Sequence, residues 1–80
     1  MATTDVEEIV SRRFAEIMDL PMDKLDLEAS LADEYAVTSV NALKLISEIE
    51  VEFDVDINED EARKIQKLSD VIGLVRKKLE

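Results

Sequence analysis

Val6, Ile9, Val10, Phe14 and Ile17 recur at intervals of three and four residues, and the same interval returns at Val40, Leu43, Ile46, Ile49 and Phe53. Side chains spaced this way fall on one face of an α-helix, so each run is read as a helix with an apolar side. No segment alternates convincingly enough for a strand. The breaks between runs are also helical punctuation. Thr4 with Glu7 three residues on has the form of a capping box, and Pro21 cannot continue a helix. The first helix is therefore placed at residues 4–19.

Residues 21–38, "PMDKLDLEASLADEYAVT", have no sustained period. Leu25, Leu27, Leu31 and Tyr35 are scattered anchors, and a single turn is expected around residues 28–32. A second helix follows over 39–53. Asn58 with Glu61 opens a short third helix at 59–65. Ser69 is placed as the cap of a fourth at 70–79, closed by Lys77 and Lys78, where cations suit the negative end of the helix dipole. The expected fold is all-α. It is a small four-helix bundle, one domain over residues 1–80, with a short third helix and a long loop between helices one and two.

Composition then narrows the chemistry. The chain has no His and no Cys, which removes the commonest general base, disulfides and thiolate zinc sites. One Gly and one Pro leave no glycine-rich phosphate loop. "DVDINED" from Asp54 offers Asp54, Asp56 and Asn58 at the first ligand positions of a calcium loop. The required Gly is Glu59 and the closing Glu is Ile65, so no metal site is assigned. Paired carboxylates such as Glu50 and Glu52 have no accompanying base or nucleophile and are read as solvated surface acids. No active site is apparent, and a non-catalytic protein is expected.

The net charge is −10, with 17 acids and four bases in residues 1–60 against three acids and six bases in residues 61–80. Nucleic acid and anionic membranes are disfavoured as partners, and basic protein surfaces are favoured. No apolar run has membrane-spanning length, and "MATTDVEEIV" lacks the regions of a signal peptide. A soluble, cytoplasmic monomer is expected.

Ser39 stands where the second helix opens. On local rules a hydroxyl there is a cap. Its surroundings say more. "ASLADEYAVTSV", followed by "LKLISEIEVEFDVDINEDEARKI", resembles the acyl carrier protein family over nearly the whole chain, most closely from Ala29 to Ile65. The resemblance implies that Ser39 receives 4'-phosphopantetheine from coenzyme A through a phosphopantetheinyl transferase. An acyl- or aminoacyl-loading enzyme and a downstream synthase or transferase would then use the arm's thiol. It also implies that Ile46, Ile57, Ala62, Ile65 and Leu68 are candidates to line an acyl pocket.

Two positions depart from the family's usual pattern. Thr38 stands where Asp commonly precedes the serine, and Ala36 where a Gly is common. A third difference lies on the second helix. Val40, Lys44, Ser47 and Val51, flanked by Asn41 and Glu48, form a mixed, partly apolar stripe where relatives are typically acidic. That stripe is the expected partner-docking face and suits specialised polyketide, peptide-like or aminoacyl work. The alternative is an unmodified helical interaction module that docks through the same helix.

Overall fold

The computed structural model describes residues 2–80, with side chains from Val6 onward. It contains α1 (Ala2–Met18), a single 3-10 turn (Met22–Lys24), α2 (Leu31–Tyr35), α3 (Ser39–Phe53), α4 (Glu59–Arg63) and α5 (Leu68–Leu79). No strand occurs among the described residues. The all-helical expectation holds, with one more helix than expected.

α1 buries Val6, Val10 and Phe14 against α3 and α5. Its start at Ala2 is two residues earlier than the sequence suggests, and the Thr4 side chain, hence its expected cap, lies outside the described residues. Asp19 ends the helix in the left-handed conformation, directly before Leu20 and Pro21. Asp reaches that region more easily than most residues because its short side chain can satisfy local backbone groups.

The long connection is more ordered than its sequence suggests. Its turn falls at residues 27–29, and α2 follows it. The Ser30 hydroxyl caps α2 by accepting the Asp33 N–H at 3.2 Å. Ala36 closes it with φ 51° and ψ 42°. Five residues cannot sustain a helix by themselves, so outside contacts hold this one. Leu31 is buried, and its N–H donates to the Gln66 carbonyl at 2.9 Å. The Ser69 N–H donates to the Leu27 carbonyl at 3.0 Å, and Lys67 pairs with Glu28 at 3.2 Å. The Tyr35 hydroxyl accepts the Asp26 N–H at 2.8 Å, while its ring meets the Phe14 ring edge-on at 5.3 Å.

α3 corrects the sequence reading of its buried face. Leu45 and Ile49 face the core, with Ile46 and Phe53 packed beside them. Leu43, read as part of the inward run, is 66% exposed, and Val40, which that run shares with the expected docking stripe, is 70% exposed, on the docking side. Two apolar stripes share this helix, and only one can face α1 and the core. Asp54 ends α3 in the left-handed region. The carboxylate of Glu50 then accepts the Ile57 N–H at 2.9 Å and holds the turn toward α4.

Glu50 and Glu52 are therefore not idle surface acids. Glu52 accepts from Arg13 of α1 at 2.6 Å. That bond, more than the charges of Glu52, Glu16 and Glu48, holds the Arg13 guanidinium above its ordinary pKa.

α4 opens as expected. Asn58 accepts the Glu61 N–H at 2.8 Å, and Glu61 accepts the Asn58 N–H at 3.0 Å. It ends at Arg63, two residues early. α5 opens differently from the expectation. Ser69 lies inside the helix, and its cap role passes to Asp70, whose carboxylate accepts the Gln66 and Lys67 N–H groups at 2.9 and 3.1 Å. α5 buries Leu68, Val71, Ile72 and Val75 and completes the core.

Candidate functional site

The site is built at the start of α3. Thr38, in extended backbone, is the N-cap: its Oγ1 accepts the Asn41 N–H at 3.2 Å. Asn41 Oδ1 in return accepts the Thr38 N–H at 3.2 Å and the Thr38 hydroxyl at 2.8 Å. The cap that local rules assign to Ser39 is thus filled by its neighbour. Ser39 is the first residue of the helix, exposed, and its hydroxyl has no hydrogen bond among the described residues.

The N–H groups of Ser39 and Val40 lie in the first turn, where no carbonyl precedes them to accept. They face the same end as the Ser39 hydroxyl, at the positive pole of a 15-residue helix with no acid in its first turn. A phosphodiester on that hydroxyl would meet two donors and a favourable dipole. The residues present fit such a group.

Beside Ser39 opens a cleft of about 620 Å³. Ala42, Leu45 and Ile46 of α3 form one wall, and Leu31, Ala32, Asp33 and Val37 the other. Ala62, Ile65 and Val71 close it, and Glu28 and Lys67 stand at it as an ion pair. Of the five candidate pocket residues, Ile46, Ala62 and Ile65 line this cleft. Ile57 and Leu68 do not: both are buried in the core, 8% and 0% exposed. Sequence reading missed the α2 wall and Ala42. The signals available were Ser30 and Asp33 at capping distance and a small residue three positions after Ser39.

The six candidate docking residues separate. Val40, Lys44, Ser47 and Val51 are exposed, Val51 by 84%. Asn41 is half-buried and committed to the cap of α3. Glu48 is half-buried and close enough to Arg13 to favour its charged form. Leu43, absent from the expected set, joins the exposed stripe. Among the described residues, no group of three or more acids is placed to hold a metal ion, and no helix is long and apolar enough to cross a membrane. Two of the tested calcium-loop positions have structural work instead, since Asp54 ends α3 and Asn58 caps α4.

Comparisons with known proteins converge on one family. The family model described as "Phosphopantetheine attachment site" matches residues 8–75. An acyl carrier protein of Buchnera aphidicola subsp. Acyrthosiphon pisum (strain Tuc7) is 31% identical over 74 residues, covering 92% of each chain. An acyl carrier protein of Nitratidesulfovibrio vulgaris (strain DSM 19637 / Miyazaki F) is 30% identical over 73 residues, 91% of this chain and 96% of that one. One of Rickettsia bellii (strain RML369-C) is 28% identical over 72 residues, 90% and 84% of the two chains. With a match that runs from α1 to α5 across the exposed serine and its cleft, the chain belongs to the acyl carrier protein family, non-catalytic carriers that bear a covalently attached 4'-phosphopantetheine.

Proposed function

We propose that Ser39 bears the arm and that the chain, acting as one carrier domain, presents a thioester-bound acyl or aminoacyl group to partner enzymes. The observation that carries this is the division of labour at the start of α3. Thr38 caps the helix, so the Ser39 hydroxyl is exposed and uncommitted, and it opens onto a cleft. The hydroxyl has no base beside it in this chain and needs none, because the transferase supplies the group that accepts its proton. The Ser39 oxygen then bonds to phosphorus as the bond to the nucleotide of coenzyme A breaks. The thiol arrives with the arm, which is how a chain without Cys serves thioester chemistry.

The cleft would shelter an apolar cargo along Ile46, Ala62 and Ile65. The neutral Thr38 and the stripe of Val40, Lys44, Ser47 and Val51 support specialised polyketide, peptide-like or aminoacyl work over general fatty-acid synthesis. Asn41 and Glu48 border that stripe. The partners are a phosphopantetheinyl transferase, a loading enzyme and a downstream synthase or transferase, met by a monomer in the cytoplasm.

The test is incubation with coenzyme A and a broad-specificity phosphopantetheinyl transferase, followed by mass spectrometry. One arm should be gained on the peptide containing Ser39, and the Ser39→Ala chain should gain none. Mass found on Ser30, Ser47 or Ser69 would refute the assignment. An unreactive chain would turn the reading toward an unmodified interaction module.

A further inference from the structure

The cleft beside Ser39 is apolar along its walls and charged at one end. Leu31, Leu45, Ile46, Ala62, Ile65 and Val71 supply apolar lining. Glu28 and Lys67 line the same cleft and pair with each other at 3.2 Å. The wall formed by α2 separates them from the serine. The last residues of α2 lead through Val37 and Thr38 to Ser39, while its first, Leu31, is bonded to Gln66, the neighbour of Lys67. Five helical residues span about 7 Å, so the serine and the ion pair flank this wall from opposite ends.

The seam that the pair spans does not depend on it. Leu31 to Gln66 and Ser69 to Leu27 already join the two segments through backbone bonds of 2.9 and 3.0 Å. Each partner is also pinned from its own side. The Glu28 N–H donates to the Asp26 carboxylate at 2.9 Å, and the Lys67 N–H to that of Asp70 at 3.1 Å. With side chains 67% and 42% exposed, Glu28 and Lys67 keep their access to water, and such a pair adds little to stability. Its position matters more than its strength. Cargo entering from an arm on Ser39 gains from each carbon laid against the apolar walls, until it meets the two charges. To go further it must part them, leaving the Lys67 ammonium against hydrocarbon, or cover them, stripping water from both. Either change costs more than the few carbons beyond the pair return.

We propose that the Glu28–Lys67 ion pair sets a limit on cargo length, so that the cleft takes short acyl or aminoacyl groups and turns away long fatty acyl chains. The inference rests on Ser39 bearing the arm and on the cleft receiving the cargo.

Acetyl-, butyryl-, octanoyl- and dodecanoyl-coenzyme A let a broad-specificity phosphopantetheinyl transferase install arm and cargo together on the full chain. Mass spectrometry verifies each load, and the melting temperature, set against the unloaded chain, reads how much of the cargo is buried. In the parent the gain should stop at butyryl. In the chain with Glu28→Leu and Lys67→Met, where the charges give way to apolar side chains, the octanoyl form should melt about 4 °C or more above the butyryl form. The chain with Glu28→Lys and Lys67→Glu restores a pair of opposite order and should stop at butyryl again. Two results would overturn the proposal: an octanoyl gain in the parent as large as in the apolar variant, or a charge-swapped chain that behaves like the apolar one. A chain that takes no arm on Ser39, or whose melting ignores every cargo in all three forms, would instead refute the attachment and cargo reading, and the length limit with it.

Discussion

α3 and α4 begin with the same hydrogen-bonded device and opposite electrostatics. Thr38 with Asn41 and Asn58 with Glu61 each exchange side-chain and backbone bonds across one turn. α4 then fills its first turn with Glu59, Asp60 and Glu61, and α3 has no acid there. α2 and α5 also carry acids in their first turns. A helix start attracts negative charge. α4 satisfies that attraction from its own sequence. α3 leaves it open where Ser39 stands, so a phosphate added there would supply what α2, α4 and α5 already have. Thr38 in place of the family's usual Asp keeps the cap and removes the nearest competing charge.

Removing either cap should have the largest effect. Thr38→Ala and Asn58→Ala should each cost about 1–2 kcal/mol in denaturant unfolding, since each deletes a cap and strands its partner. If the starts are equivalent as caps, the two losses match. A markedly smaller loss at Thr38 would show that Asn41 alone can hold α3.

Ala36, two residues before the Thr38 cap, lies at φ 51°. Glycine adopts that conformation freely and alanine does not. Ala36→Gly should therefore stabilise the protein by about 1 kcal/mol, read from the unfolding midpoint. An unchanged or lower midpoint would mean that the entropy glycine adds to the unfolded chain outweighs the relieved strain.

Attaching the arm to Ser39 sharpens the electrostatic contrast directly. The phosphodiester should raise stability by about 0.3–1 kcal/mol at low ionic strength, less in salt. In the Thr38→Asp chain, where a carboxylate already occupies the helix start, the gain should shrink. An equal gain in both chains would remove the open dipole from the account.

The smallest effect belongs to α4. Lys78 donates to Glu61 at 2.9 Å, and that bond, followed by the Asn58 N–H, holds the Glu61 carboxyl below its ordinary value of 4.5. A carboxyl depressed on folding stabilises the folded state fully above its unfolded value and loses that contribution as pH falls through its folded one. Glu61→Gln keeps an acceptor for Asn58 and deletes the charge. Its melting temperature should trail the parent's at neutral pH, and the gap should close below pH about 4.5. A gap that persists in acid would assign the loss to geometry rather than charge.

The sequence announces α3 through its apolar period and α4 through the capping pair Asn58 with Glu61. α2 escaped because "LADEY" offers only Leu31 and Tyr35, too few for a period, and its support comes from Gln66, Ser69 and Lys67 far along the chain. The inner face of α3 was misread for a different reason. Spacing groups residues into stripes but carries no sign for which stripe faces inward, and Leu43 keeps helical spacing with Ile46 and Ile49. Ser39 was visible as a special residue only through its family resemblance. The finding that Thr38 relieves it of capping needed coordinates, since both hydroxyls suit that role. The cleft was half visible: residues named for it divide between its lining and the core, because an apolar residue near a cavity and one beneath it look alike in a sequence.

The two backbone bonds from the long connection to the start of α5, Leu31 to Gln66 and Leu27 to Ser69, bear on the order in which the molecule is made. α3 draws on local contacts and on α1, and the cap at its start joins only Thr38 and Asn41. The α2 wall is anchored by residues near the other end of the chain, and closing so long a loop comes late in folding. On the ribosome Ser39 emerges well before Gln66. The serine and its cap can exist on a nascent chain while the cleft cannot, so the place proposed for the arm precedes the place where its cargo would rest.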